Sequence, residues 1–273
     1  MTFLTQHAPA PDLRREHSAI KEAGSALNDQ IRQQLPGAAQ QPAPCAEGGD
    51  TDGGPADVPA LLHSVKLACR GVVALKLTLP EGKEGRATSA VHAVRKIIRD
   101  VESGARSKFK HVHRIVPFQT STSLGTAELQ AAAARLASSV AGATAGKQKA
   151  VVVGDTEEEA EANGSVGGPK GLTFAVAFNG RGGSWRFAEQ QGTGRLPERM
   201  AAIGAIATGF TEELLQKHGI KAKVDLKNPG VVLLAEVLPL ASDPIVGLAA
   251  VPASLCSFAA RTNIKTVGDT VRS

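Results

Sequence analysis

Apolar residues recur at helical spacing over residues 13–35, where Ile20, Leu27 and Ile31 share one face behind a capping Asp12. Thr2–Gln6, ahead of that helix, suits a short strand. Gly71–Pro80 (GVVALKLTLP) alternates instead, with Val73, Leu75, Leu77 and Leu79 set against Lys76 and Thr78, which predicts a strand. Helical spacing returns from Ala87 to Val101 and puts Val91, Val94, Ile98 and Val101 on the buried side. A further strand is predicted from Phe109 to about Phe118. Between these, ALLHSVKLA (Ala60–Ala68) fits a helical turn or a short strand, and EGKEGR reads as a turn. Strand, helix, strand, helix, strand is most of a ferredoxin-like α+β module.

The second half has its own order. QTSTSLGT (Gln119–Thr126) reads as a polar loop, and Thr126 caps an Ala-rich helix over Ala127–Val140. LTFAVAF (Leu172–Phe178) is a buried-type strand, followed by a loop that carries Arg181, Arg186, Arg195 and the only Trp. Pro197 opens a helix to Lys217, with Met200, Ile203, Ile206, Phe210 and Leu214 every three or four residues and Gly219 in the C-cap role. KVDL then gives a short strand, and Asn228-Pro229-Gly230 has the composition of a type II turn. VVLLAEV (Val231–Val237) is apolar enough for an interior strand. IVGLAAV and SLCSFAART supply one last strand or short helix before a frayed end.

Composition and charge sharpen this picture. With 273 residues there is room for two small domains or one large one. Aromatics make up 3% and Tyr is absent, so the core must be Val, Leu, Ile and Ala, and reading of single-stranded bases by stacking is disfavoured. Residues 36–58 are Pro, Gly, Ala and Asp with almost nothing to bury, and are expected to be a disordered insertion. Residues 154–170 are an acidic, Gly-rich loop without the Walker pattern, whose Glu side chains would repel phosphate. No apolar run reaches the roughly 18 residues of a membrane span, and the first residues lack the pattern of a signal peptide. Cys45, Cys69 and Cys256 are odd in number and widely spaced, which suits a reducing compartment and excludes a CxxC metal site.

The net charge of +5 is unevenly spread. Residues 1–60 hold 4 basic and 8 acidic side chains (net −4), whereas residues 61–120 hold 12 basic and 4 acidic (net +8) and four of the seven His. A basic block inside a near-neutral chain is the footprint of a polyanion partner. Its densest part is the predicted helix 87–101, where His92, Arg95, Lys96 and Arg99 form a cationic stripe. Lys108, Lys110 and Arg114 add charge on the next predicted strand, and Arg70 and Lys76 belong to the same block. His111 and His113, two apart on that strand, share a face and supply half of a metal site. With no third ligand at useful spacing, both are expected at a phosphate or on plain surface. Asp225 and Glu236 have no nucleophile beside them and read as a turn acceptor and a strand-face carboxylate.

Five stretches carry a resemblance to a known family: RREHSAIKEAGSAL (Arg14–Leu27), ACRGVVALKL (Ala68–Leu77), HRIVPF (His113–Phe118), FAVAFNGRGG (Phe174–Gly183) and KVDLKNPGVVLLAEV (Lys223–Val237). Together they resemble the THUMP domain, an RNA-binding module of tRNA-modifying enzymes, and within it the THUMP domain-containing protein 1 family of tRNA acetyltransferase adaptors. The resemblance spans roughly residues 1–37 and 60–267. It implies an α+β protein: an N-terminal ferredoxin-like domain in two parts, residues 1–35 and 59–118, around the 36–58 insertion, then a THUMP domain over 119–267 with a small mixed sheet, and a tail at 268–273. The implied function is non-catalytic. Such an adaptor presents serine and leucine tRNAs to a separate RNA cytidine acetyltransferase, which forms N4-acetylcytidine in the D-arm.

Neither a cofactor, a metal, a small-molecule substrate nor a membrane is expected, and the location implied is nuclear, nucleolar or cytoplasmic. The RNA would be met by the basic block and by Arg181 and Arg186, through phosphates and 2′-hydroxyls. The alternative is the RNA-binding part of a THUMP-containing modifying enzyme, of the methyltransferase or thiouridine synthetase type. Such an enzyme needs a further catalytic domain of at least about 150 residues, for which no length is expected after Val267.

Overall fold

A computed structural model describes residues 2–6, 13–34, 62–65, 67, 72–77, 89–149, 171–180, 199–238, 244–258 and 262–268. Asp12, both expected insertions (36–58 and 154–170) and residues 181–198 lie outside the described residues. The chain divides into two units, one made of residues 1–119 with 264–273, the other of residues 120–263.

The first unit runs β1 (Thr2–Gln6), α1 (Leu13–Gln34), β2 (Leu62–Val65), β3 (Val72–Leu77), α2 (Ala90–Glu102) and β4 (Arg114–Phe118). Its sheet order is β2-β3-β1-β4, with every neighbouring pair antiparallel. That order is the ferredoxin-like arrangement, and within ALLHSVKLA it settles Leu62–Val65 as a strand. Phe3 of β1, opposite Leu75 and Pro117, is fully buried. Helix α1 buries Ala19, Ala23, Ala26, Leu27 and Ile31 along one stripe, with Ile20 at its edge.

Helix α2 begins three residues later than its periodicity suggests, because Ser89 caps it and accepts the His92 N–H at 3.3 Å. Its buried stripe is Ala90, Ala93, Val94, Ile97 and Ile98, while Val91 and Val101 are half-buried. The expected strand from Phe109 is shorter than its apolar pattern suggests and starts only at Arg114. The reason lies on α1. The Glu22 carboxylate accepts the N–H groups of Lys110 and His111 at 2.8 Å and of Val112 at 3.1 Å, so they cannot enter a ladder. Phe109 instead makes a single bridge to Gly268, where any side chain would meet the Phe109 and Val112 carbonyls.

The second unit runs β5 (Thr120–Ser123), α3 (Thr126–Lys149), β6 (Leu172–Gly180), α4 (Arg199–His218), β7 (Ala222–Val224), β8 (Val231–Leu238) and β9 (Ile245–Pro252). A 3-10 turn at Ala253–Leu255 and two-residue strands Cys256–Ser257 and Asn263–Ile264 (β10 and β11) follow β9. The sheet order is β5-β9-β8-β6-β7; β6 runs parallel to β7 and β8, and β9 is antiparallel to both its neighbours. It is a mixed five-stranded sheet, so the α+β class with a small mixed sheet holds. Val232 through Leu238 are all buried, as an interior strand requires.

Leu129, Ala133, Leu136 and Ala137 of α3 pack with Ile206, Phe210 and Leu214 of α4 over Leu233, Ala235 and Val237 of β8. Phe210 meets Phe174 of β6 with ring centroids 5.1 Å apart. Gly219, at φ +64°, ends α4 as expected, its N–H donating to the Leu215 carbonyl at 3.1 Å.

Two local expectations fail here. Thr120–Ser123, read as loop, is an edge strand paired with β9, with Ser121 and Ser123 exposed. Asn228-Pro229-Gly230 is not a type II turn, because Gly230 does not take the positive φ that such a turn needs. Its N–H is held instead by the Thr173 carbonyl and hydroxyl, both at 2.9 Å.

Candidate nucleic-acid interface

The α2 stripe forms as a surface. His92, Lys96 and Arg99 are exposed at one-turn spacing on the face opposite Val94 and Ile98, and Arg95 is half-buried beside them. Lys96 Nζ lies 2.6 Å from Asp100 Oδ1, one helical turn on. Lys96 is exposed and Asp100 half-buried, and a partly solvated pair of this kind leaves the ammonium able to turn to another anion. Lys76 is exposed on β3, between Thr2 of β1 and His63 of β2. Arg114 is half-buried at the start of β4, opposite Gln6. Arg70, Arg181 and Arg186 lie outside the described residues.

Lys108, Lys110 and His111 come together with residues that the sequence pattern passed over. They line an open groove of about 650 Å³ with Ser18, Lys21, Glu22 and Ser25 of α1 and with Arg106, Ser107 and Phe109. Lys21 and Arg106 are the additions. Lys21 sits in the acidic first part of the chain, where net charge hides it. Arg106 follows the left-handed Gly104 (φ +76°), which turns the chain off the end of α2. The Arg106 guanidinium also reaches Asp29 at 3.4 Å.

His111 and His113 do not share a strand face, because the strand begins after them; the half-site reading is corrected on that ground. Among the described residues there is no group of three or more His, Cys, Asp or Glu able to hold a metal ion, and no helix is long and apolar enough to cross a membrane.

The two candidate acid–base carboxylates are both committed to local structure. Glu236 is fully buried in β8 and accepts the Asn179 side-chain N–H at 2.8 Å, from the residue opposite it on β6. Asp225 accepts the N–H groups of Asn228 and Lys227 at 2.9 Å, in that order the main causes holding its carboxyl below the ordinary 3.8. A lowered folded-state value means that the carboxylate stabilises the fold above the ordinary value, and that this is lost as the pH falls through the folded one. Asp225→Ala is therefore expected to lower the melting temperature at pH 7, with the gap from wild type narrowing below about pH 4. Melting curves from pH 7 to pH 2.5 check this; a gap that stays constant would refute it.

No protein-family model matches the chain, and no curated protein does. Among solved structures, it is similar to PH1313 from Pyrococcus horikoshii Ot3, with 12% identity and a TM-score of 0.38 over 92% of this chain and 54% of that one. It is also similar to a 4-thiouridine synthetase solved as an RNA complex with bound ATP, with 10% identity and a TM-score of 0.38 over 92% of this chain and 41% of that one. The chain thus spans about half the length, or less, of these solved structures.

Proposed function

We propose that this chain is a non-catalytic tRNA-binding adaptor that presents serine and leucine tRNAs to an RNA cytidine acetyltransferase for N4-acetylcytidine formation in the D-arm. The observation that carries the binding half is the α2 face, where three exposed basic side chains and one half-buried one line up on a helix that packs its other side. Rows of Lys and Arg at one-turn spacing meet successive phosphates of a folded RNA and need no base contacts. The adaptor half rests on the resemblance of Arg14–Leu27 and Lys223–Val237 to the acetyltransferase-adaptor family. In this structure those stretches lie on α1 and run from β7 into β8.

An acetylation assay tests the whole proposal. The acetyltransferase, acetyl-coenzyme A and a serine tRNA are combined with and without this protein, and N4-acetylcytidine is counted by mass spectrometry. The modification is expected to rise at least about tenfold when the protein is added, the scale of about 1.4 kcal/mol of presented binding. No rise would sink the adaptor role. Modification of tRNA by this chain alone would point to the enzyme-fragment reading instead.

A further inference from the structure

We infer that the groove between α1 and the segment after α2 is a seat for a backbone phosphodiester of folded RNA, contacted by Lys21, Arg106, Lys108 and Lys110, with Glu22 as its positioning residue. This rests on the RNA-binding reading above and assigns it a second contact point besides the α2 stripe.

Among the described residues, the groove is lined by four Lys and Arg side chains, a histidine and three serine hydroxyls, against one carboxylate. That carboxylate, Glu22, is turned inward: one oxygen takes the Lys110 N–H and the other takes those of His111 and Val112. Charge-assisted bonds of this kind are the strong ones. They tie residues 110–112 to α1 and direct the Glu22 carboxylate to backbone N–H groups. Lys21, Lys108 and Lys110 are exposed.

Among the described lining residues Phe109, which is buried, is the one apolar side chain. A small-molecule pocket encloses its ligand. An open, hydroxyl-lined and cationic groove fits a charged backbone passing across it. The Arg106–Asp29 pair, at 3.4 Å on the surface, is weak enough to yield to a phosphate.

The inference has a consequence that simple charge counting reverses. Removing the Glu22 carboxylate makes the protein more positive, yet it should weaken RNA binding, because the lysine-bearing segment loses its anchor. Binding of a labelled folded tRNA to the full chain is measured by fluorescence anisotropy across a salt series. Lys21→Glu is expected to weaken binding about tenfold more than Lys221→Glu, the same charge change at an exposed position of the second unit. Glu22→Ala is expected to weaken it about fivefold and to make the salt slope shallower by about one. Inorganic phosphate at constant ionic strength should not displace the RNA below about 10 mM, a concentration at which nonspecific phosphate contacts are weak.

Equal effects of Lys21→Glu and Lys221→Glu would overturn the seat, as would Glu22→Ala binding at or above wild-type affinity. Displacement by micromolar phosphate that depends on Lys21 would reassign the groove to a free anion and overturn the RNA seat. Failure of the wild-type chain to bind folded tRNA would instead overturn the RNA-binding reading itself.

Discussion

Gly209→Ala is expected to destabilise the protein by about 2–3 kcal/mol, and Gly209→Val by more, the range for overpacking a rigid contact. Gly209 is buried on α4 where that helix crosses α3. A Cβ there would fall onto the Gln130 carbonyl oxygen, carbonyl carbon and Cα. These are backbone atoms inside a helix, so no rotamer change relieves the clash. The helices must move apart, and the separation takes Leu129, Ala133 and Leu136 away from Ile206 and Phe210 along the same seam.

Gly204, five residues earlier on the same helix, provides the control. It is exposed with open space around it, so Gly204→Ala should stabilise by about 0.5–1 kcal/mol through helix propensity alone. One substitution chemistry on one helix is thus predicted to act with opposite signs. Thermal and urea unfolding of the two variants beside wild type decide it, and a Gly209→Ala protein as stable as wild type would show that the helices cross elsewhere.

The triple variant Arg95→Ala, Lys96→Ala, Arg99→Ala should bind folded tRNA tens-fold more weakly near 0.1 M salt while melting within a few degrees of wild type. The size follows from counterion release. Without these three cations at the phosphates, the slope of log affinity against log salt should shrink by roughly two to three. The small effect on melting follows from placement: Lys96 and Arg99 are exposed, Arg95 is half-buried, and the partly solvated Lys96–Asp100 pair is worth about 0–1 kcal/mol. An unchanged dissociation constant, or an unchanged salt slope, would remove the α2 face from the interface. Measuring the slope matters because a partly unfolded variant would lose binding without that specific reduction.

What the sequence made legible was whatever a single element decides for itself. The continuous apolar run of β8 identified an interior strand, and the three-to-four spacing of α2 gave its cationic stripe and the Val94 and Ile98 part of its buried one. What stayed hidden depends on distant partners. Thr120–Ser123 looks like loop because Thr and Ser suit turns; it becomes a strand only through its pairing with β9. Phe109–His113 looks like strand because it alternates; it is prevented by a carboxylate on α1, some ninety residues earlier in the chain. The same long reach conceals the groove, since Lys21 and Arg106 belong to segments of opposite net charge and meet only in the folded unit. Gly209 carried no signal either, because a glycine within a helical pattern reads as a cost until the facing helix is known.

The strands at the rims of the second sheet bear on how the protein behaves in a crowded solution. β8 and β9 are the most apolar strands of the unit and are the kind of segment that recruits further strands when its backbone is open. Here both are enclosed, β8 between β6 and β9 and β9 between β8 and β5. The outer rims are the four residues of β5, all Thr and Ser, and the three of β7, with Lys223 exposed at its middle. Short, hydroxylated or charged rims offer a passing chain little length to zip onto. The serines and threonines that disguised β5 in the sequence thus also guard the sheet against fibrous self-association.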